Sequence, residues 1–432
     1  MPTLIYNLFP PLAGPIPRWE GHLDRIAAMG FTWIYLNPIH TPGLSGSLYA
    51  VKDYFGINPL FYPEDGSDPE AALAHFLKEA SRRGLKVMLD LVINHTAIDS
   101  PLIREHPEWY EKDQQGRIKN PGAIDPADAR HVTVWGDLAE LAYWPAPDPE
   151  GLLHYWDMVV SKYLRLGFLG FRADAAYKIP GDFWDRLISE ARRLEPSVQF
   201  FAETLGCRLE ECGQLSSAGF DFLYNSSKWW DFQADWCLDQ YNRFRLLAPS
   251  VSFPETHDTD RLAAETGGNA EAARQRYLFA AFFSTGLMIP MGFEYGFKKK
   301  LHVVKTRPED WDLPSYDLTG YIALVNRMKR NCPALLEEGP MARLNPQGET
   351  VVFLLKSGKS RGRALAVINA TGEPQMAPVP ENAPGRGEPL DAWQDITPEI
   401  LPVKLRPGLP LALPPLVMRV FYNSAAPALT EA

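Results

Sequence analysis

Gly167-Phe168-Leu169-Gly170-Phe171-Arg172-Ala173-Asp174 is the stretch on which the fold turns. Gly167 ends a helical run. Phe168 to Ala173 has the length of one strand and is apolar apart from Arg172, and Asp174 closes it. Alternate side chains of a strand share a face, so Arg172 and Asp174 point the same way. A charged pair at the C-terminal end of a buried strand is costly without a partner or a task. In a parallel α/β barrel that end carries the chemistry. A structural ion pair is the competing reading, and only the rest of the chain separates the two.

Working outward, strand-like and helix-like segments alternate. The strands are Leu4–Asn7, Trp33–Leu36, Lys86–Val92, Gly170–Asp174, Gln199–Glu203, Phe220–Tyr224, Val251–Phe253 and Leu287–Met291. Helical periodicity runs through Trp19–Met29, Pro69–Arg83, Leu152–Leu166, Phe183–Leu194, Trp230–Arg245, Ala270–Thr285 and Leu318–Arg330. Glycines or prolines mark many of the ends. This rhythm predicts an α/β fold, a (β/α)8 TIM barrel. A doubly wound sheet is the competitor, but no dinucleotide-type glycine fingerprint follows the first strand. The barrel is predicted over 1–95 and 147–338. Between them, 96–146 lacks periodicity, and a segment of roughly fifty such residues reads as an inserted subdomain. From 339 to 432 the pattern changes to short strands between turns, an all-β C-terminal domain read as a β-sandwich.

Composition narrows the partners. Across 432 residues the net charge is -10, which argues against nucleic acid. Aromatic residues reach 12% and include 12 Trp, which suits a sugar cleft as well as a bulky core. Trp135, Trp144, Trp229 and Trp230 are candidates for either use. Cys207, Cys212, Cys237 and Cys332 match no zinc pattern and no disulfide framework, so a reducing, cytoplasmic location is expected. No signal peptide and no membrane span are expected, and the oligomeric state is left open.

Several chemistry-bearing residues fall at strand ends. Asp90, Asn94 and His95 close strand three, Arg172 and Asp174 strand four, and Glu203 strand five; Glu255, Thr256, His257 and Asp258 follow strand seven. Each alone fits a structural role, but four clusters on one barrel rim point to a catalytic site. Two carboxylates from neighbouring strands, about 5–5.5 Å apart, are what retaining glycoside cleavage uses. Arg172 beside Asp174 is expected to keep that carboxylate ionised and aimed.

These motifs resemble glycoside hydrolase family 13, the α-amylase family. Asp90-Leu91-Val92-Ile93-Asn94-His95 resembles its first signature region, Gly170-Phe171-Arg172-Ala173-Asp174 the second, Phe201-Ala202-Glu203 the third, and Phe253 with His257-Asp258 the fourth. Tyr49 with Asp53-Tyr54 resembles the family's sugar-stacking loop. The resemblance implies Asp174 as nucleophile, Glu203 as acid/base and Asp258 as transition-state stabiliser. It implies Tyr49, Asp90, His95, Arg172 and His257 as substrate-binding residues. There are departures as well. Thr256 replaces the frequent Asn, and Ala175-Ala176-Tyr177-Lys178 lacks the frequent Lys-His pair. That histidine often helps to hold calcium, and 96–146 has no dense oxygen-ligand cluster. Asn94 resembles a calcium ligand, yet no cofactor and no metal site are expected.

The substrate implied is an α-glucan or maltooligosaccharide. Retaining hydrolysis of α-1,4-glucosidic bonds ranks first. The alternative is an α-glucan transferase such as a maltosyltransferase using maltose 1-phosphate, with Lys298-Lys299-Lys300 then able to meet phosphate. The remote alternative is a non-catalytic glucan-binding relative.

Overall fold

The computed structural model describes residues 2–124, 132–143, 146–205, 207, 209–215, 218–359, 361–381, 392–406 and 408–427. Eight parallel strands close into a barrel: β1 (Leu4–Leu8), β2 (Trp33–Leu36), β3 (Lys86–Leu91), β4 (Gly170–Ala173), β5 (Gln199–Ala202), β6 (Phe222–Tyr224), β7 (Ser250–Ser252) and β8 (Gly286–Pro290). Each pairs with its sequence neighbours, and β8 returns to β1. The expected (β/α)8 fold is therefore present. Its principal helices are α1 (Leu23–Ala28), α2 (Pro69–Arg82), α3 (Pro149–Leu166), α4 (Gly181–Leu194), α5 (Leu209–Gln214), α6 (Trp236–Phe244), α7 (Ala270–Phe283) and α8 (Thr319–Arg330).

Local sequence explains these ends. Asp68 and Asp148 accept backbone N–H groups of Ala71 and Gly151 in the first turns of α2 and α3, at 2.9 and 3.0 Å. Leu152, Leu153, Trp156, Val159, Val160, Tyr163 and Leu164 form one buried stripe on α3. Gly167 stops that helix at φ 113°. The barrel interior is filled by Ile5, Trp33, Tyr35, Met88, Phe201, Phe222, Val251 and Met288. Gly170 leaves room for the Trp33 ring, since a Cβ there would sit 2.9 Å from it.

Two helices differ from the periodicity. Trp19–Met29 is broken into a turn ending at Trp19, a tight turn Glu20–His22 and α1. Gly21 weakens the helix there, and the Trp19 indole donates instead to Gly14 O at 2.7 Å. The helix expected from Trp230 starts only at Trp236. Asp231 accepts the N–H groups of Gln233 and Ala234, and Phe232 sits at φ 69°, so the side chain captures the donors that a helix would use.

Between β3 and α3 the chain forms the antiparallel pair His95–Ala97 with Leu138–Glu140, and a second pair Gly122–Ile124 with Val132–Val134. After α8 come β9 (Met341–Arg343), β10 (Val351–Ser357), β11 (Arg361–Asn369), β12 (Gln375–Pro378), β13 (Gln394–Asp395), β14 (Pro410–Leu413) and β15 (Met418–Pro427). They make a sheet in the order β9-β10-β11-β15-β13 and a separate β12-β14 pair. Alternation divides the larger sheet. Val352, Leu354, Ala366, Ile368 and Val420 join the core of the barrel's helical layer, while Val351, Phe353, Leu365, Val367 and Phe421 form a second core with Ala377, Leu411 and Leu413. Among the described residues no helix is long and apolar enough to cross a membrane.

Candidate active site

Arg172 is the hub. It is 4% exposed and projects from the end of β4, where register pairs it with Asp90 on β3. Nη1 donates to Asp90 Oδ1 and Oδ2 at 2.9 and 3.0 Å and to Asp174 Oδ1 at 2.8 Å. Nη2 stands 2.7 Å from Glu203 Oε1. One planar guanidinium thus holds both members of the carboxylate pair, a geometry that lysine cannot reproduce. Burial works against the charge on Arg172, but Asp90 and Glu203 hold it well above the ordinary arginine value.

Asp174 departs from expectation. Burial and the neighbouring Glu203 push its carboxyl well above the ordinary range, and Arg172 only partly opposes them. Both carboxylates contact the same Arg172 guanidinium, so the charge of Glu203 acts directly on Asp174.

Asp90 organises the other wall. Its Oδ2 accepts the hydroxyls of Tyr35 and Tyr49, at 2.5 and 2.7 Å. Asn37 Nδ2 reaches Tyr49 Oη at 3.0 Å, and Asn7 Nδ2 in turn donates to Asn37 Oδ1 at 2.8 Å. Tyr49 lies on the loop between hairpin strands His40–Pro42 and Val51–Ile57. Its ring is parallel to that of His257, with 5.7 Å between centroids. His257 Nε2 lies 2.6 Å from Tyr49 Oη and 3.0 Å from Asp258 Oδ2. His257 Nδ1 is buried with no hydrogen-bond partner among the described residues. Asp258 has a half-exposed side chain, and its N–H is capped by Thr256 Oγ1 at 3.2 Å. His95 is 7% exposed, and its Nε2 meets Tyr49 O at 3.1 Å. Burial lowers His95 to about 4, so it is neutral. Tyr54 Oη donates to Val92 O and His95 O, fixing the turn that carries His95.

All eight predicted site residues are connected by these contacts. Sequence reasoning missed Tyr35, Asn7 and Asn37. Tyr35 lies in the predicted strand Trp33–Leu36, but its partner Asp90 is more than fifty residues away.

Other candidates resolve differently. Glu255 pairs with Arg261 at 2.7 Å, and both are buried, so it braces the strand-seven loop. Lys299 and Lys300 reach Asp310 and Asp260, at 3.5 and 3.0 Å. Trp230 is packed against Phe232, Phe279 and Phe283, whereas Trp135 and Trp229 are exposed; Trp144 lies outside the described residues. Asn94 contacts His95 Nδ1 at 3.3 Å, and among the described residues no group of three or more His, Cys, Asp or Glu side chains converges as a metal site.

Comparisons with known proteins support the barrel fold. The family model described as glycogen debranching enzyme, glucanotransferase domain, matches residues 4–115. An α-1,4-glucan:maltose-1-phosphate maltosyltransferase of Burkholderia pseudomallei is 28% identical over 358 residues, covering 81% of this chain and 31% of that protein. One from Myxococcus xanthus is 27% identical over 394 residues, covering 83% and 56%. The chain thus spans about a third to about half the length of these relatives. An α-amylase from Lactobacillus plantarum shares the fold with TM-score 0.77 and 21% identity, over 97% and 98% of the two chains. The α-glucosyl transfer enzyme XgtA does so with TM-score 0.77 and 16% identity, over 98% and 100%. Fold and site define a (β/α)8 barrel with a three-carboxylate centre at its C-terminal rim. The chain resembles glycoside hydrolase family 13, the α-amylase family.

Proposed function

We propose that the chain is a retaining α-glucan-active enzyme that forms a covalent glycosyl-enzyme on Asp174 and passes the glycosyl group to a glucan acceptor. The observation that carries the retaining mechanism is the single Arg172 guanidinium bonded to both Asp174 and Glu203. Asp174 attacks the anomeric carbon while Glu203 protonates the leaving oxygen, then deprotonates the acceptor. Asp258 and His257 hold the sugar hydroxyls, and Tyr49 supplies an apolar face beside them. Asp90, through Arg172 and the two tyrosines, keeps the centre rigid. His95 holds the Tyr49 backbone.

Transfer is favoured over hydrolysis by the relatives, which are named maltosyltransferases, and by the glucanotransferase family model. A maltosyl donor carrying phosphate is the first substrate to test. Hydrolysis of α-1,4-glucans, ranked first from the sequence, is the second reading, because the carboxylate pair serves water equally well. The lysine run does not support a phosphate role specifically, since Lys299 and Lys300 face Asp310 and Asp260.

The test is incubation with maltose 1-phosphate and a maltooligosaccharide. Phosphate release with acceptors lengthened by two glucose units supports transfer. Shortening of maltooligosaccharides, without use of the phosphate donor, supports hydrolysis. No cofactor enters this reading, so EDTA followed by calcium leaves the melting temperature unchanged.

A further inference from the structure

Cys207 lies just beyond Glu203, between the end of β5 and α5, and Cys212 lies within α5. The sequence spacing suggested no disulfide, yet the fold brings these two sulfurs to 2.8 Å. Cys207 Sγ also donates to Thr204 O at 2.9 Å, which folds the chain tightly after Glu203. A disulfide has an S–S length of about 2.05 Å, so closure needs a shift of less than about 1 Å. Cys207 is partly exposed and Cys212 is buried, which gives an entry sulfur and a resolving sulfur.

We propose that Cys207 and Cys212 form a reversible disulfide by exchange with a small-molecule disulfide such as glutathione disulfide, and that this cross-link fixes the chain directly after Glu203. Cys207 Sγ attacks one sulfur of the oxidant, and one glutathione thiol leaves. Cys212 then attacks Cys207 Sγ, and the second glutathione thiol leaves. The two cysteines give up two protons and two electrons, and the S–S bond of the oxidant is reduced to two thiols.

The surroundings relate the cross-link to the site. Thr204, next to Glu203, hydrogen-bonds through its hydroxyl to Tyr224 O on β6. α5 packs against the turn Ala176–Lys178 that follows Asp174. Joining Cys207 to Cys212 therefore ties the acid/base loop to the element that supports the other carboxylate's loop. The inference does not depend on which acceptor the enzyme uses.

The test uses the full chain treated with glutathione disulfide, then alkylated under denaturing conditions and mapped by mass spectrometry. Two of the four thiols are expected to disappear into one peptide linking Cys207 and Cys212, and dithiothreitol restores them. Cys212→Ser is expected to stop at a glutathione adduct on Cys207, and Cys207→Ser to keep its three thiols. Hydrogen exchange across 203–214 is expected to slow in the oxidised protein and not in the treated double serine variant. Four retained thiols in the native chain, or a stable glutathione adduct without the internal link, overturns the disulfide. Unchanged exchange in the linked protein overturns its hold on the acid/base loop.

Discussion

The backbone N–H of Ala175 donates to Glu203 Oε2 at 2.9 Å. Ala175 follows Asp174 directly and sits in the left-handed region, at φ 44° and ψ 42°. That conformation costs an L-residue roughly 1–2 kcal/mol. The strain turns the chain sharply after β4, so that one residue presents Asp174 to the cleft and the next steadies Glu203.

Ala175→Gly is therefore expected to keep or raise stability, by up to about 1 kcal/mol, with activity preserved. Ala175→Val, β-branched in the same conformation, is expected to lose about 2 kcal/mol and to lower turnover. Urea unfolding and initial rates measure both. Equal stability of the two variants would remove strain from the account.

The action of Glu203 on Asp174 has a pH signature. Burial and Glu203 raise Asp174, so the acid limb of kcat/KM lies above the range of an ordinary carboxylate. Glu203→Gln removes the negative neighbour, so Asp174 ionises at lower pH. With α-maltosyl fluoride, whose leaving group needs no acid, the limb is expected to move down in that variant. A limb that stays in place shows that the two groups do not interact.

A second titration sits at the junction with the C-terminal domain. Lys329 Nζ donates to Ala281 O, Ser284 O and Leu335 O, while Lys356 Nζ donates to Phe283 O, all near the end of α7. Burial lowers Lys356 to about 8 from 10.5. Below pH 8 it is protonated in both states. Between 8 and 10.5 the unfolded chain binds more protons, so this group makes stability rise with pH. The rise is at most about 3 kcal/mol, and Lys329 shares in it. Lys356→Met lacks the contribution. Its stability relative to the native protein is expected to fall between pH 7 and pH 10, as read by denaturant unfolding. A constant difference contradicts the assignment.

Much of this was legible beforehand, for physical reasons. Apolar runs such as Phe168 to Ala173 have a period that only a buried strand satisfies, and the charged residues at their ends stand out against it. What escaped depends on distant partners. Tyr35 reads as a barrel-filling aromatic until the register brings it to Asp90. Trp230 to Asp235 has helical composition, but the Asp231 carboxylate competes for the backbone. Arg172 was expected to keep Asp174 ionised, and the balance reversed because burial and Glu203 act on the same group.

The central claim is that Asp174 carries the glycosyl group. The direct measurement is intact mass and peptide mapping of the Glu203→Gln variant after brief exposure to α-maltosyl fluoride, where loss of the acid/base slows release of the intermediate. The account predicts one maltosyl unit, bound to the peptide that holds Asp174 and absent from the Asp174→Asn, Glu203→Gln double variant. A label on another residue, or first products of β configuration with no label at all, would contradict it.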